Sequence, residues 1–508
     1  MTAPHKRSRR AIAIPLGMAT ATALAFLPNV SASAAEADAP QQVTADATAL
    51  SYVVNVSPGH GPSATVKKAI AAAGGTIVTS YDQIGVIVVH SSNADFAKTI
   101  RGVRGVQSAG NTRNAPLPAQ STTDVGAPKV LSAEEVEEVT STQAVAGQDP
   151  LEPLQWDLPA IKADKAHERT LGSSKVTVAV IDTGVDDTHP DIAPNFDRDA
   201  SVNCVTGKPD TADGAWRPSA AESPHGTHVA GEIAGAKNGV GITGVAPGVK
   251  VAGIKVSTTA GYFYTEAVVC GFVWAAEHGV DVTNNSYYTD PWYFNCKDDP
   301  DQKALVDAIT RATQYAEKKG TVNVAAAGNE NYDLAADSIT DPVSPNDGTP
   351  SNRVIDPSKC YDIPTQLPGV VTVAATGAKG IKSSFSNHGL GVIDIAAPGG
   401  DFYQTPAPPA TSGLILGPLP GGRWGYMAGT SMASPHVAGV AALIKSTHPH
   451  ASAALVKALL YAEADATPCT DPYDINGDGK VDAVCEGTKN LNGFYGWGTA
   501  DALDAVTR

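Results

Sequence analysis

Three short stretches of this 508-residue chain hold side chains able to move protons or form covalent bonds, each set among small residues. Asp182-Thr183-Gly184 follows a β-branched run, Val176 to Ile181. That puts a carboxylate at the carboxyl end of a strand, where open α/β sheets build their sites. The same tripeptide occurs in aspartic proteases, and an aspartate ending a strand is also an ordinary turn former. His225-Gly226-Thr227-His228-Val229-Ala230-Gly231 sets a histidine beside glycine at the entry to an apolar helical stretch, an uncrowded imidazole suited to a general base. Zinc is the competing use of two histidines three apart, but the glutamate of a His-Glu-x-x-His helix is missing, so His228 reads as a packing residue. Gly429-Thr430-Ser431-Met432-Ala433-Ser434-Pro435-His436 precedes the apolar helical stretch Val437 to Ile444, so Ser431 falls at a helix N-terminus with Pro435 in the first turn. A serine there is either a helix cap or, with a base in reach, a nucleophile.

Residues so far apart need a scaffold. Short β-branched runs recur at Val176 to Ile181, Val249 to Val256, Val280 to Thr283, Thr321 to Ala327, Val370 to Ala374 and Gly391 to Ala397. Helix-compatible segments lie between or after them, notably Thr265 to His278, Ala304 to Lys319 and Val437 to Thr447. This alternation predicts an α/β fold, a mostly parallel central sheet with helices on both faces. Ahead of it, Tyr52 to about Asn111 reads as a smaller α/β unit. It has a β-rich stretch Tyr52 to Val56, a helix Ala64 to Ala73 stopped by Gly74-Gly75, a strand Ile84 to His90 and a second helix Asn93 to Ile100. From Ala115 to Pro150 there is no Phe, Trp or Tyr to anchor a core, which predicts a solvated linker.

The first 34 residues carry Lys6 to Arg10, an apolar stretch Ala11 to Leu27 and Ala32-Ser33-Ala34, the pattern of a cleaved signal peptide. Export is therefore expected, and no membrane association after cleavage. Pro15, Gly17, Thr20 and Thr22 interrupt the apolar stretch and weaken the alternative of a membrane anchor. The net charge is −16 and the few basic residues at the N-terminus leave the rest more acidic still, which speaks against a nucleic-acid partner. Six cysteines, Cys204, Cys270, Cys296, Cys360, Cys469 and Cys485, form an even set without zinc-ligand spacing, and export favours disulfides. Only Cys469 with Cys485 is close enough in sequence to propose as a local pair.

Asp, then His, then Ser, each in a dense small-residue motif on an α/β chain, resembles the subtilisin-like serine peptidases, whose order of catalytic residues differs from that of other serine proteases. The resemblance covers roughly Gln155 to Val506. It implies that Ser431 is the nucleophile, His225 its base and Asp182 the carboxylate that orients the imidazole, in an acyl-enzyme mechanism on polypeptide substrates without a catalytic cofactor. Ala325-Ala326-Ala327-Gly328-Asn329 resembles the family segment whose asparagine amide stabilises the oxyanion, so Asn329 is the expected fourth catalytic residue. Ser286-Tyr287-Tyr288 stands where the family pairs with substrate as an added strand. Two tyrosines replace the usual small, glycine-containing continuation, which is expected to narrow or reshape the primary specificity pocket. Gly261-Tyr262-Phe263 is expected to supply the opposite edge strand, and Gly261 and Gly328 count among the substrate-contacting residues.

By the same resemblance the chain divides into a signal peptide, 1–34; an inhibitory propeptide domain, 35–114; a linker with the maturation cleavage, 115–150; and a peptidase domain, 151–508. The propeptide is the expected intramolecular partner, and a monomer is expected. Asp474-Ile475-Asn476-Gly477-Asp478-Gly479 with Asp482 matches the first nine positions of a calcium loop, but position twelve is Cys485 where a glutamate is required. Structural calcium on Asp474, Asn476 and Asp478 is one expectation; a polar turn inside a Cys469–Cys485 loop is the other. Asp191 and Asn238 fall where many relatives hold a structural calcium. Two rival functions remain: a narrow-specificity processing protease, which the tyrosines and acidic surface favour, and a non-catalytic binding module, which the intact set of four catalytic positions disfavours.

Overall fold

The apolar alternation of residues 50–56 and 86–91 resolves into the two central strands of a small antiparallel sheet in the computed structural model, which describes residues 49–114, 125–142 and 145–508. The expected signal peptide lies outside the described residues, as do residues 35–48 of the expected propeptide and 115–124 and 143–144 of the expected linker. Strands β1 (Leu50–Val56), β2 (Gly75–Tyr81), β3 (Val86–Ser91) and β4 (Val106–Asn111) lie in the order β2-β3-β1-β4. Helices α1 (Ala64–Ala72) and α2 (Phe96–Arg101) cover one face, with Tyr52, Val54, Ile70, Ile87, Phe96 and Ile100 as the core between. Sequence reading missed β2 and β4 and began the second helix too early. Asn93 belongs to a turn: its Oδ1 accepts from Asp95 N at 3.0 Å and its Nδ2 donates to the Ala73 carbonyl at 3.0 Å, an alternative to helix that short polar side chains offer.

The stretch 115–150 is not simply an unstructured linker where it is described. Strand β5 (Lys129–Val130) and helix α3 (Ala133–Thr142) lie within it. Ser132 and Glu135 form a reciprocal capping box, Glu135 N donating to Ser132 Oγ at 3.1 Å and Ser132 N to Glu135 Oε2 at 2.7 Å. The Ser-x-x-Glu signal was in the sequence and outweighed the lack of aromatics. No residue of α3 is fully buried.

In the main unit, strands β6 (Thr177–Asp182), β7 (Val202–Asn203), β8 (Lys250–Lys255), β9 (Val282–Asn285), β10 (Val322–Ala326), β11 (Val370–Thr376) and β12 (Ile395–Pro398) form one sheet, in the order β12-β11-β10-β9-β6-β8-β7. Every adjacent pair is parallel. Alternate residues of β6 feed two different cores, Val178 and Val180 on one face and Ala179 and Ile181 on the other, which is why the strand is apolar throughout. Helices α4 (His225–Ala234) and α7 (Thr430–Thr447) cover the first face; α5 (Thr265–Glu277) and α6 (Pro300–Lys319) cover the second. Sequence reading placed the strands well, but β12 begins only at Ile395 because Gly391 turns the chain at φ +79°. Strands β13 (Ile415–Leu419) and β14 (Arg423–Met427) form a hairpin onto which β5 adds.

The small sheet docks on α5 and α6. Val53, Tyr81, Ile84, Val86 and Val88 join the core beneath those helices. Asn55 Nδ2 donates to the Ala304 carbonyl at 2.9 Å, and Arg311 Nη1 donates to the carbonyls of Val56 and Gly85 at 2.7 and 3.0 Å. A Cβ at Gly110 would stand 2.3 Å from the Asp301 carbonyl, so glycine is what lets β4 approach the start of α6. All six cysteines pair, as Cys204–Cys270, Cys296–Cys360 and the expected Cys469–Cys485.

Candidate active site

Strand β6 lies between β8 and β9, so its carboxyl end opens at the point where the chain switches from one side of the sheet to the other. Asp182 sits there, fully buried. Its Oδ1 accepts from Thr183 N at 2.6 Å and from His225 Nδ1 at 2.8 Å. An ionised carboxylate can only accept, so Nδ1 carries the proton and Nε2 is the basic nitrogen. Gly226 makes this approach possible: its N–H donates to Thr183 Oγ1 at 2.9 Å, and a Cβ there would lie 2.4 Å from the Gly184 carbonyl. His225 is the first residue of α4.

Helix α7 starts at Thr430, earlier than the sequence suggested, so Pro435 lies inside it and not in its first turn. Proline has no N–H for the carbonyl four residues back, which is that of Ser431. The Ser286 hydroxyl replaces it, donating to Ser431 O at 3.0 Å, and is itself held by Asn284 Nδ2 at 2.9 Å. Ser431 Oγ in turn donates to the Ser286 carbonyl at 3.3 Å. The motif around Ser431 and the one around Ser286 are thus locked together at the start of a helix, whose N–H groups favour developing negative charge.

Asn329 follows β10. Thr430 N and Thr430 Oγ1 both donate to its Oδ1, at 2.8 and 3.0 Å. Thr430 thus holds the oxygen end of this amide. Ser286, Gly328, Asn329, Thr430 and Ser431 share one pocket with Tyr287, Tyr288, Tyr293, Glu330 and Asp362. The Tyr287 ring stacks on Phe263, with centroids 4.5 Å apart. Tyr288 packs on Tyr293 at 4.6 Å, and its hydroxyl accepts from Asn346 Nδ2 at 3.0 Å. Gly261 is not among the described residues lining this pocket; it turns the chain into Phe263 and Tyr264, which bridge Ser257 and Asp290. Sequence reading missed Tyr293, Glu330 and Asp362. Glu330, next to Asn329, was within reach of the motif, whereas Asp362 enters from an irregular segment with no pattern of its own.

His228 packs inward as expected. Burial pushes its imidazole down to about 3 and raises the Glu232 carboxyl, so a neutral acid donates to Nδ1 at 2.7 Å while Nε2 donates to the Gly425 carbonyl at 3.1 Å.

The expected calcium residues differ in their fit. Asp474 Oδ1 and Oδ2 accept from Gly477 N and Gly479 N, both at 2.8 Å, and Asn476 Oδ1 accepts from Asp478 N at 2.8 Å, as in a polar turn. Among the described residues no three carboxylate, histidine or cysteine groups of this loop converge; Cys296, Asp298 and Cys360 do, but two of them form a disulfide. At Asp191 the case is better. Its Oδ2 accepts from Trp424 Nε1 at 2.7 Å and Ile242 N at 3.1 Å, while its buried Oδ1 has no hydrogen-bond partner among the described residues. Burial, with the nearby Asp149 charge adding to it, pushes this carboxyl up to about 7. Asn238 Oδ1 is engaged by Val240 N at 2.9 Å.

Comparison with known proteins decides the family: residues 173–498 match the Subtilase family. The chain is a subtilase. Subtilisin Savinase of Lederbergia lenta is 32% identical over 330 residues, 65% of this chain and 97% of that one. Subtilisin E of Bacillus subtilis is 31% identical over 296 residues, 58% of this chain and 62% of the relative. Among solved structures, the epidermin leader peptide processing serine protease of Staphylococcus aureus superposes with a TM-score of 0.61 at 24% identity, covering 90% of this chain and 98% of that one. Fervidolysin of Fervidobacterium pennivorans gives 0.60 at 23% identity, over 91% of this chain and 61% of that chain. These two show that the fold is shared. As a subtilase the chain is a serine endopeptidase, acting on polypeptides and needing no catalytic cofactor.

Proposed function

We propose that Ser431 is the nucleophile, His225 the general base, Asp182 its orienting carboxylate, and Asn329 with the Ser431 N–H the oxyanion donors. The carrying observation is the buried 2.8 Å bond from His225 Nδ1 to Asp182, which leaves Nε2 as the basic nitrogen. His225 Nε2 takes the Ser431 proton as Oγ attacks the scissile carbonyl, and returns it to the leaving amine; a water then repeats the sequence on the acyl-enzyme. Asp182 remains ionised and stabilises the imidazolium.

The region 35–114 acts in this reading as an inhibitory propeptide of a secreted zymogen, with the signal peptide at 1–34 and maturation within 115–150. Its last described residues support this. Arg113 pairs with buried Glu266 and lies 4.5 Å over the Tyr264 ring, and Asn114 N donates to Asp347 Oδ2 at 2.7 Å, so the chain leaves the unit beside the edge segment 261–264. Among the described residues no helix is long and apolar enough to cross a membrane. A cation held by Asp191, with Asp149 nearby, would be structural and far from the reacting atoms in role.

The test is expression from residue 35 of wild type and Ser431→Ala, followed by mass spectrometry, casein cleavage and labelling with a serine-directed phosphonate. Wild type should shorten by a cut in 115–150, digest casein and carry the label on Ser431; the variant should do none of these. A folded wild type that stays whole, inert and unlabelled would favour the binding-module reading instead.

A further inference from the structure

The pocket beside Ser431 is lined by the residues that hold the nucleophile and the oxyanion donor, so the side chain that enters it belongs to the residue whose carbonyl is attacked, P1. This rests on the reading of Ser431 given above. The lining contains two carboxylates, Glu330 and Asp362, and no Lys, Arg or His. Glu330 stands at the open mouth, its Oε2 accepting from Asn329 N at 2.8 Å and from the Tyr293 hydroxyl. Asp362 is deeper, 2% exposed, and its Oδ1 has no hydrogen-bond partner among the described residues. Among the described residues neither acid has a salt-bridge partner within 4 Å, although the chain forms many elsewhere.

A buried carboxylate oxygen without a donor carries its full desolvation cost. Crowding by protein raises both carboxyls, and Glu330 raises Asp362 further. The group that would relieve both at once is a cation. The pocket holds about 290 Å³ of space not filled by protein atoms, part of it open to solvent, so charge and not size makes the choice. Tyr288 and Tyr293 wall the approach, offering apolar surface to a methylene stem and ring faces to a cation.

We infer that this subtilase selects a basic P1 residue, with Asp362 at the floor and Glu330 at the mouth of the pocket as the counter-charges. Tyr293, bonded to Glu330, positions the outer carboxylate. Tyr287 and Tyr288 line this pocket, yet the discriminating charge comes from residues outside that motif.

The experiment uses the full chain after it has matured, with tetrapeptide amides identical except at P1: lysine, arginine, norleucine or phenylalanine. Norleucine matches the lysine stem without the charge. We expect kcat/KM for lysine to exceed that for norleucine by at least 50-fold, and Asp362→Asn and Glu330→Gln each to lower this ratio at least tenfold. Should a variant fail to fold, the wild-type ratio decides alone. Norleucine or phenylalanine cleaved as fast as lysine, with Ser431 still labelled by the phosphonate, would overturn the inference and leave the peptidase reading intact. Arginine cleaved as readily as lysine is expected, since both bring the charge that answers the two acids. No cleavage of any substrate and no label would overturn the peptidase reading itself, and the inference with it.

Discussion

Pro435 withholds a hydrogen bond from the carbonyl of Ser431, and the hydroxyl of Ser286 supplies it, so a residue 145 positions earlier fixes the backbone of the proposed nucleophile. Asn329 shows the same economy: Thr430 occupies its oxygen twice and so holds that end of the amide. Asn329→Ala should lower kcat by about 10²–10³-fold with little change in KM, a size borrowed from the loss of such a donor in a subtilisin; steady-state kinetics would check it. Full turnover in the variant would remove Asn329 from the mechanism. Asp191 makes a prediction about pH. Its folded-state pKa is about 7 against an ordinary 3.8, so the native state binds this proton more tightly than the unfolded chain. Below pH 3.8 the group is protonated in both states and adds nothing. As pH rises from there towards 7 it withdraws up to about 1.4 kcal/mol of stability per unit, and the loss then levels off. Urea unfolding of the inactive Ser431→Ala protein with chelator present should show this slope against an Asp191→Asn control. Millimolar calcium should flatten it if the orphaned Oδ1 takes a cation.

At the scale of elements, legibility followed periodicity. Strands such as β6 announce themselves because both faces are buried and every residue is apolar. Strand β2, Gly-Thr-Ile-Val-Thr-Ser-Tyr, is only partly buried at most positions and starts on glycine, so its sequence has no such run. Helix α7 was read too short because its first turns are small and polar and hold a proline, the very features that build the site. The motifs around His225 and Ser431, where the proposed triad lies, stand out for the opposite reason: Gly226 and the Ser286–Ser431 bonds demand particular residues at close spacing. Asp362 does not, since a pocket floor needs one side chain and no pattern. Between elements, α6 carries the docking of the small sheet, and Arg311 gives donors to its carbonyls. Arg311→Ala should weaken the hold on the unit 50–114 at least tenfold once the linker is cut, since charged hydrogen bonds contribute about 1.5–3 kcal/mol each. Size-exclusion chromatography of cut Ser431→Ala protein with and without this change would read it; equal retention would assign the docking to the apolar contacts alone.

For the whole molecule, two helical layers divide the labour. Helices α4 and α7, on one face of the sheet, bring His225 and Ser431 to the ends of β6 and β10, while α5 and α6, on the other face, receive the N-terminal unit. Covalent reinforcement follows a different boundary. Every disulfide joins residues between 204 and 485, and none reaches the small sheet. A single cut within 115–150 therefore leaves two chains with no bond between them. Before that cut, the tether holds the N-terminal unit at an effective concentration in the millimolar range, where even a modest affinity keeps it in place. Afterwards the same contacts belong to two solutes, and occupancy falls with dilution. Release then requires no further chemistry, only volume, and the protein's own concentration becomes the quantity that sets how much of it still carries the N-terminal unit.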